Sequence, residues 1–229
     1  MKNIVITGAS RGIGLATVKE LINTNNRVYA ISRNTESLVA LKESLGNSEQ
    51  LICLDFDIVK GDLSQLDSYF KDTLIHGLIN NAGVLLNKPF AEISQEELQR
   101  VYEVNVFGLI RITQYLLPNL MLAKGNVLNV SSMGGINGSA KFAGLSAYSS
   151  SKGAVSILTE CLAEELKESG VHVNAVALGA VQTEMLNEAF PGYQASVQPQ
   201  EMGNYLSQFV QHDYQFYNGK ILQVSNSTP

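Results

Sequence analysis

The sequence predicts an α/β domain built on a doubly wound parallel sheet of about seven strands with helices on both faces. Three observations predict it. Short apolar runs alternate with longer stretches of helical period along the whole chain. The first apolar run, Ile4-Val5-Ile6, leads straight into a glycine-rich turn and then a helix. No repeat, low-complexity tract or Pro/Gly/Ser linker divides the 229 residues, so 1–229 is expected to be one domain.

In chain order, apolar runs place strands at 3–7, 27–32, 50–56, 77–80, 125–131, 171–177 and 221–224. Helical period fills the gaps with helices near 13–24, 35–45, 62–73, 95–117, 148–169 and 200–211. Strands that alternate with helices build βαβ units, and such sheets bind ligands in a crevice at the carboxyl ends of their strands.

Composition narrows the partners. The chain is 45% hydrophobic and 16% charged, an ordinary globular mixture. A domain of this size buries roughly 70–75% of the surface its unfolded chain exposes, so it needs no disulfide or metal staple. Sixteen basic and 21 acidic residues give a net charge of −5 with no run of Lys or Arg. That argues against a nucleic-acid partner. Cys53 and Cys161 stand in apolar surroundings without CxxC spacing, and are expected to be buried, reduced thiols. His76, His172 and His212 form no ligand pattern, so no metal is expected. The first apolar run is too short for a signal peptide, and no stretch is expected to reach the ~20 apolar residues of a membrane span. The expectation is a cytoplasmic, unanchored protein.

Strand one ends in Thr7-Gly8-Ala9-Ser10-Arg11-Gly12-Ile13-Gly14. Glycines let the backbone turn sharply and approach a phosphate, and the following helix N-terminus presents N–H groups to the anion. The G-x-x-x-G-x-G spacing differs from G-x-G-x-x-G. The same turn would serve a bare strand–helix connection, but its place after an N-terminal strand favours nucleotide binding.

Tyr148 and Lys152 are four positions apart in a helical stretch, so they share one face. A free phenol titrates near pH ~10, too high for efficient proton transfer at neutrality, and a nearby ammonium favours the phenolate. The pair can act as a general acid/base, although such pairs also decorate solvated helices. Ser131-Ser132 closes the fifth strand, where a doubly wound sheet opens its site. Asn105 and Gly108 sit mid-helix at a local cost in helix propensity, the pattern of a functional kink or of a tolerated polar residue.

These motifs together resemble the classical short-chain dehydrogenase/reductase family, in particular its NADP-preferring carbonyl and 3-oxoacyl reductases. The resemblance covers residues 2–185. It rests on the glycine-rich turn, Asn80-Asn81-Ala82-Gly83, Asn105, Ser132, Tyr148-x-x-x-Lys152 and Val173-Asn174-Ala175-Val176-Ala177-Leu178-Gly179, all in the family's order. It implies a Rossmann-type fold and one domain that both binds the dinucleotide and performs the chemistry. Gly8, Ser10, Arg11, Gly12, Ile13 and Gly14 would form the pyrophosphate turn, and Asp57 would receive the adenine amino group. Asn81, Ala82 and Gly83 would lie along the adenosine ribose. Ser132 would bind the substrate oxygen and Tyr148 would exchange its proton. Lys152 would hold the nicotinamide ribose and lower the Tyr148 pKa. Asn105 would fix a water leading from Lys152 to solvent, and Val181 and Thr183 would meet the carboxamide. The resemblance also implies a homodimer or homotetramer joined through helices 95–117 and 148–169.

Three departures stand out. Leu178 occupies the place of a common Pro and is expected to loosen the loop after it. The segment between Ser132 and Tyr148 is longer than usual and rich in glycine, which leaves Ser131 as a rival for the substrate-binding serine. The final strand reads Ile221-Leu222-Gln223-Val224-Ser225-Asn226-Ser227, without the family's common Gly-Gly.

An NAD site places an acid at the end of strand two. Here Ile31-Ser32-Arg33-Asn34 has none, and Arg33, with Arg11 facing it, would bind a 2′-phosphate through charge-assisted hydrogen bonds. Glu36 lies nearby. The expected activity is NADPH-dependent reduction of a ketone to a secondary alcohol. The alternatives are an NAD-dependent alcohol dehydrogenase of the same family and a non-catalytic nucleotide-binding scaffold, which would have no use for Asn105, Ser132, Tyr148 and Lys152 together. Residues 184–200 should cover the pocket. A 3-oxoacyl group, a small diketone and a sugar all stay open as substrates.

Overall fold

Seven parallel strands form one sheet in the order β3-β2-β1-β4-β5-β6-β7 in the computed structural model, which describes residues 1–226. They are β1 (Asn3–Thr7), β2 (Arg27–Ser32), β3 (Leu51–Asp55), β4 (Gly77–Asn80), β5 (Asn126–Ser132), β6 (His172–Leu178) and β7 (Ile221–Val224). Each lies within a residue of its sequence expectation. Strands buried on both faces read as continuous apolar runs, which is why they were visible. Side chains alternate between the faces: Ile4 and Ile6 join one apolar cluster and Val5 the other.

Eight α-helices flank the sheet among the described residues. Helices α1 (Gly12–Asn23), α2 (Glu36–Ser44) and α8 (Pro199–Gln211) supply Leu21, Leu38 and Phe209 to the first cluster. Helices α3 (Asp67–Phe70), α5 (Leu109–Ala123) and α6 (Ser146–Glu165) supply Phe70, Ile112 and Ala163 to the second. The remaining two are α4 (Gln95–Tyr102) and α7 (Glu184–Ala189). The chain reverses direction across the sheet between β1 and β4, so the crevice opens where the glycine-rich turn and Asn81–Gly83 meet.

Several expectations need correction. The helix expected at 62–73 is a 3₁₀ turn (Leu63–Leu66) capped by Asp62, followed by the short α3. The single helix expected at 95–117 is α4, a π-helical segment (Glu103–Gly108) and α5, which runs through Pro118 to Ala123. This run, Gln95–Ala123, spans 29 residues with a mean hydropathy of 1.3 over its most apolar window, so by length and composition alone it could cross a bilayer. No such stretch was expected. In the fold its apolar stripe packs on the sheet, with Ile112, Leu116 and Leu120 fully buried. Cys161 is exposed rather than buried, because it lies on the outer face of α6; Cys53 is half-buried, and both are free.

Candidate active site

The glycine-rich turn is set by close backbone approach. Gly8 has φ +65° and a Cβ there would fall 2.7 Å from Ala82 Cα; one on Gly14 would fall 2.1 Å from the Gly8 carbonyl oxygen. Asn81 clamps the turn to the end of β4. Its side-chain amide donates to the carbonyls of Thr7 (3.1 Å) and Gly8 (2.9 Å), while Thr7 Oγ1 accepts from the backbone N–H groups of Asn81 and Ala82. Asn81 therefore builds the cradle with its side chain rather than reaching out of it. A cradle that any Cβ would fill, followed at once by the N-terminus of α1, fits a pyrophosphate.

From this turn a cleft of about 780 Å³ runs along the strand ends. All the residues expected at the site line it except Asn105, which lies beneath. Arg33 and Asp57 stand on the turns after β2 and β3. Asp57 Oδ1 accepts from the N–H groups of Val59 (2.7 Å) and Lys60 (3.2 Å), which fixes its carboxylate in place. Arg11 pairs with Glu184 at 3.0 Å across the cleft mouth. Thr183 caps α7 through the Leu186 N–H and lies against Gly12.

Ser132, Tyr148 and Lys152 gather deeper in. α6 begins at Ser146, so Tyr148 sits in its first turn and Lys152 one turn on, with its ammonium 5.9 Å from the Tyr148 ring centroid. Lys152 Nζ donates to the Val130 carbonyl at 2.7 Å. Burial lowers Lys152 to about 8. Burial raises the Tyr148 phenol above its ordinary value, and a hydrogen bond with the Ser132 hydroxyl opposes the rise. The net direction is upward, opposite to the expected lowering: loss of water around the phenol leads, and the opposing influence is Ser132 rather than Lys152. Ser131, the rival serine, donates to the Lys152 carbonyl at 3.0 Å and meets Ser156 at 3.2 Å; its hydroxyl is spent against α6.

Asn105 lies in the π-helical segment, where the sequence suggested a kink. Its Oδ1 accepts from Val84 N–H (2.8 Å), and Nδ2 donates to the Val84 carbonyl (3.0 Å) and to Ser151 Oγ (2.9 Å). It ties the loop after β4 to α6, and Gly83 passes beside both Asn105 Oδ1 and Lys152 Nζ.

Leu178 does not loosen its loop. It extends β6, pairs in register with Ser132 and Val224, and is buried. Leucine keeps the backbone N–H that Pro lacks, so the strand can continue. Beyond it, Val181 bridges Val197 and the Gln182 side chain receives the Ala195 N–H at 2.7 Å. Leu85, Met133, Phe142 and Leu145 also line the cleft and were not singled out from the sequence. Neither was helix α7, although Thr183 before Glu184 is an N-cap signal. Of the run Ile221–Ser227, Ser227 lies outside the described residues.

The short chain dehydrogenase profile matches residues 2–194. The chain belongs to this family. As a short chain dehydrogenase it is an oxidoreductase of carbonyl or alcohol groups in small molecules. It is 33% identical over 187 residues to the L-xylulose reductase of Caenorhabditis elegans, covering 80% of this chain and 73% of that one. It is equally 33% identical over 183 residues to carbonyl reductase [NADPH] 2 of Sus scrofa, covering 79% and 72%. In structure it resembles a 4-hydroxyisoleucine dehydrogenase complexed with NADH, with a TM-score of 0.86 over 99% of this chain and 98% of that one at 22% identity.

Proposed function

We propose that this short chain dehydrogenase is one catalytic domain that uses NADP(H) to reduce a ketone to a secondary alcohol, with Tyr148 as the general acid. One observation carries the reading: Ser132, Tyr148 and Lys152 converge on the deep end of a cleft whose other end is a phosphate-sized cradle. When bound, the reduced nicotinamide would supply the hydride for the carbonyl carbon. Ser132 orients the carbonyl oxygen, and Tyr148 gives it a proton. Lys152 stabilises the resulting phenolate and holds the ribose. Asn105 positions Lys152 through Ser151 and the Val84 loop, and its part in a water path to solvent belongs to this reading. Gly8, Ser10, Gly12, Ile13 and Gly14 surround the pyrophosphate, Asp57 the adenine, Ala82 and Gly83 the adenosine ribose, and Val181 and Thr183 the carboxamide. Arg33 and Arg11 select the 2′-phosphate. Oxidation of an alcohol with NAD is the second reading, since the similar dehydrogenase structure holds NADH.

The same reading takes the protein to be a cytoplasmic homo-oligomer. The test is oxidation of NADPH with a ketone panel, then the reverse reaction with NAD and the matching alcohols. Tyr148→Phe keeps the ring and removes the transferable proton, so turnover should fall about 10²-fold or more while nucleotide still binds. Near-normal turnover in Tyr148→Phe would overturn the assignment of the acid.

A further inference from the structure

We propose that Asn87 is a positioning residue that fastens an aromatic wall over the substrate end of the cleft, and that this wall selects ketones with an uncharged, apolar arm. The inference rests on the reductase reading and adds to it the class of substrate.

Three segments far apart in sequence meet at Asn87. Its Nδ2 donates to the carbonyl of Ala189, the last residue of α7, at 2.7 Å. Gly144 lies on its other side, so close that a Cβ there would fall 2.0 Å from Asn87 Oδ1, and Gly144 has φ +86°. The neighbouring Lys88 N–H donates to the Gly144 carbonyl at 3.0 Å. Lys88 in turn is held by both carboxylate oxygens of Glu97 at 2.9 Å, and Glu97 belongs to the capping box of α4. The loop after β4, the glycine-rich segment after β5 and α7 are thus stapled at one point.

The staple brings Phe142 and Phe190 together as an edge-to-face pair with centroids 5.7 Å apart, and both rings line the cleft. Leu85, Met133, Leu145 and Leu186 line it with them. Lys88, Lys141 and Glu184 on these segments are engaged with protein groups, and Glu188 is exposed on α7. Lys141 turns its ammonium back onto Ile136 and Ser139 of its own loop, and Glu184 pairs with Arg11. Against the two rings a polyol arm would lose water without gaining partners, whereas an alkyl or aryl arm would be favoured by burial; the charges that line the same cleft from α4 and the segment after it are Arg100 and Glu103.

The experiment compares an aryl alkyl ketone, a small diketone and an open-chain ketose, each with NADPH, in wild type, Asn87→Ala, Phe190→Ala and Phe190→Tyr. Wild type should favour the aryl ketone over the ketose. Phe190→Ala should lower the ratio of kcat/KM for aryl ketone to that for diketone about tenfold, mainly through KM, as expected for one lost aromatic contact. Asn87→Ala should move the ratio the same way, and Phe190→Tyr should restore it. Preference for the ketose, or an equal loss on all three substrates, would overturn the proposal. Should no carbonyl oxidise NADPH, the reductase reading fails by itself. Calorimetric titration of the aryl ketone into protein with NADPH then decides the wall: binding weakened in Phe190→Ala supports it, and unchanged or absent wild-type binding overturns it.

Discussion

The ammonium of Lys152 lies 5.9 Å from the centroid of the Tyr148 ring, one turn along α6, and donates a hydrogen bond to the Val130 carbonyl at 2.7 Å. Burial lowers Lys152, which is 4% exposed, to about 8, and partial loss of water raises the half-buried Tyr148. Below pH 8 the pair therefore stands as a cation beside a neutral phenol, an acid ready to donate. As pH rises, Lys152 loses its charge first, and the phenolate left by proton transfer loses its stabilising partner.

An alkaline limb near pH 8 is therefore expected in kcat/KM for carbonyl reduction. The stability effect has the opposite sign. An unfolded Lys keeps its proton up to about 10.5 and the folded one only to about 8, so the unfolded state binds more protons in that window. Stability from this group rises with pH there. A pH–rate profile with thermal melts at each pH separates lost chemistry from unfolding. A profile flat to pH 10 would contradict the limb.

Asn105 offers a second handle on the same limb. Asn105→Ala leaves the Val84 N–H and carbonyl without their side-chain partners. The cost is about 1–3 kcal/mol, with Tm lower by roughly 2–4 °C for each kcal/mol. Asn105→Asp sets a carboxylate near Lys152, since both flank Gly83. That charge favours the ammonium, so the alkaline limb should move to higher pH. An unmoved limb in a folded Asn105→Asp would detach Asn105 from Lys152.

The sheet was legible because its central strands are buried on both faces, which writes them as apolar runs with turns at their ends, while the edge strands β3 and β7 are only partly buried yet still apolar in sequence. Asn105 was legible as a local violation of helix propensity, and the structure resolves it as a π-helical segment. What the sequence hid were pairings between distant segments. Glu184 meets Arg11 from 173 residues away, and Asn87 meets Ala189 from 102. Leu178 misled because the absence of Pro says only that φ is unfixed, not that β7 takes up the strand. Helix α7 escaped because six residues give too few turns for a periodic pattern.

Assembly can be tested on two side chains. Phe107, on the π-helical segment, is 56% exposed and Ile157, on α6, is 62% exposed, each within two positions of a member of the small apolar cluster Val106, Leu109 and Val155. Such exposure on adjacent helices suits a partner copy. Light scattering should give a particle of at least twice 24.9 kDa for wild type, and the double variant Phe107→Glu/Ile157→Glu should shift it toward that monomer mass. A wild type already at 24.9 kDa would remove the oligomer from the reading.

The cofactor preference turns on four charges at the cleft mouth. Arg33 is exposed at the end of β2, where an NAD site would carry an acid. Arg11 is held by Glu184 at 3.0 Å, but the two side chains are 60% and 67% exposed. An exposed pair of this kind contributes about 0–1 kcal/mol, so Arg11 can exchange a carboxylate for a phosphate at little cost. Glu36, the nearby acid, is engaged with Asn34: its N–H donates to Asn34 Oδ1 at 2.9 Å, and its carboxylate accepts from Asn34 Nδ2 at 3.4 Å. Arg33→Asp should therefore lower kcat/KM for NADPH more than tenfold and leave NADH the better cofactor, because a carboxylate there repels a 2′-phosphate and accepts from a 2′-hydroxyl. Glu184→Gln should raise kcat/KM for NADPH modestly, by freeing Arg11, with less effect on NADH. Both cofactors are to be compared with one ketone at fixed ionic strength, since charge selection weakens with salt. A wild type that prefers NADH, or an Arg33→Asp variant with the wild-type preference, would reverse the assignment to the NAD-dependent reading.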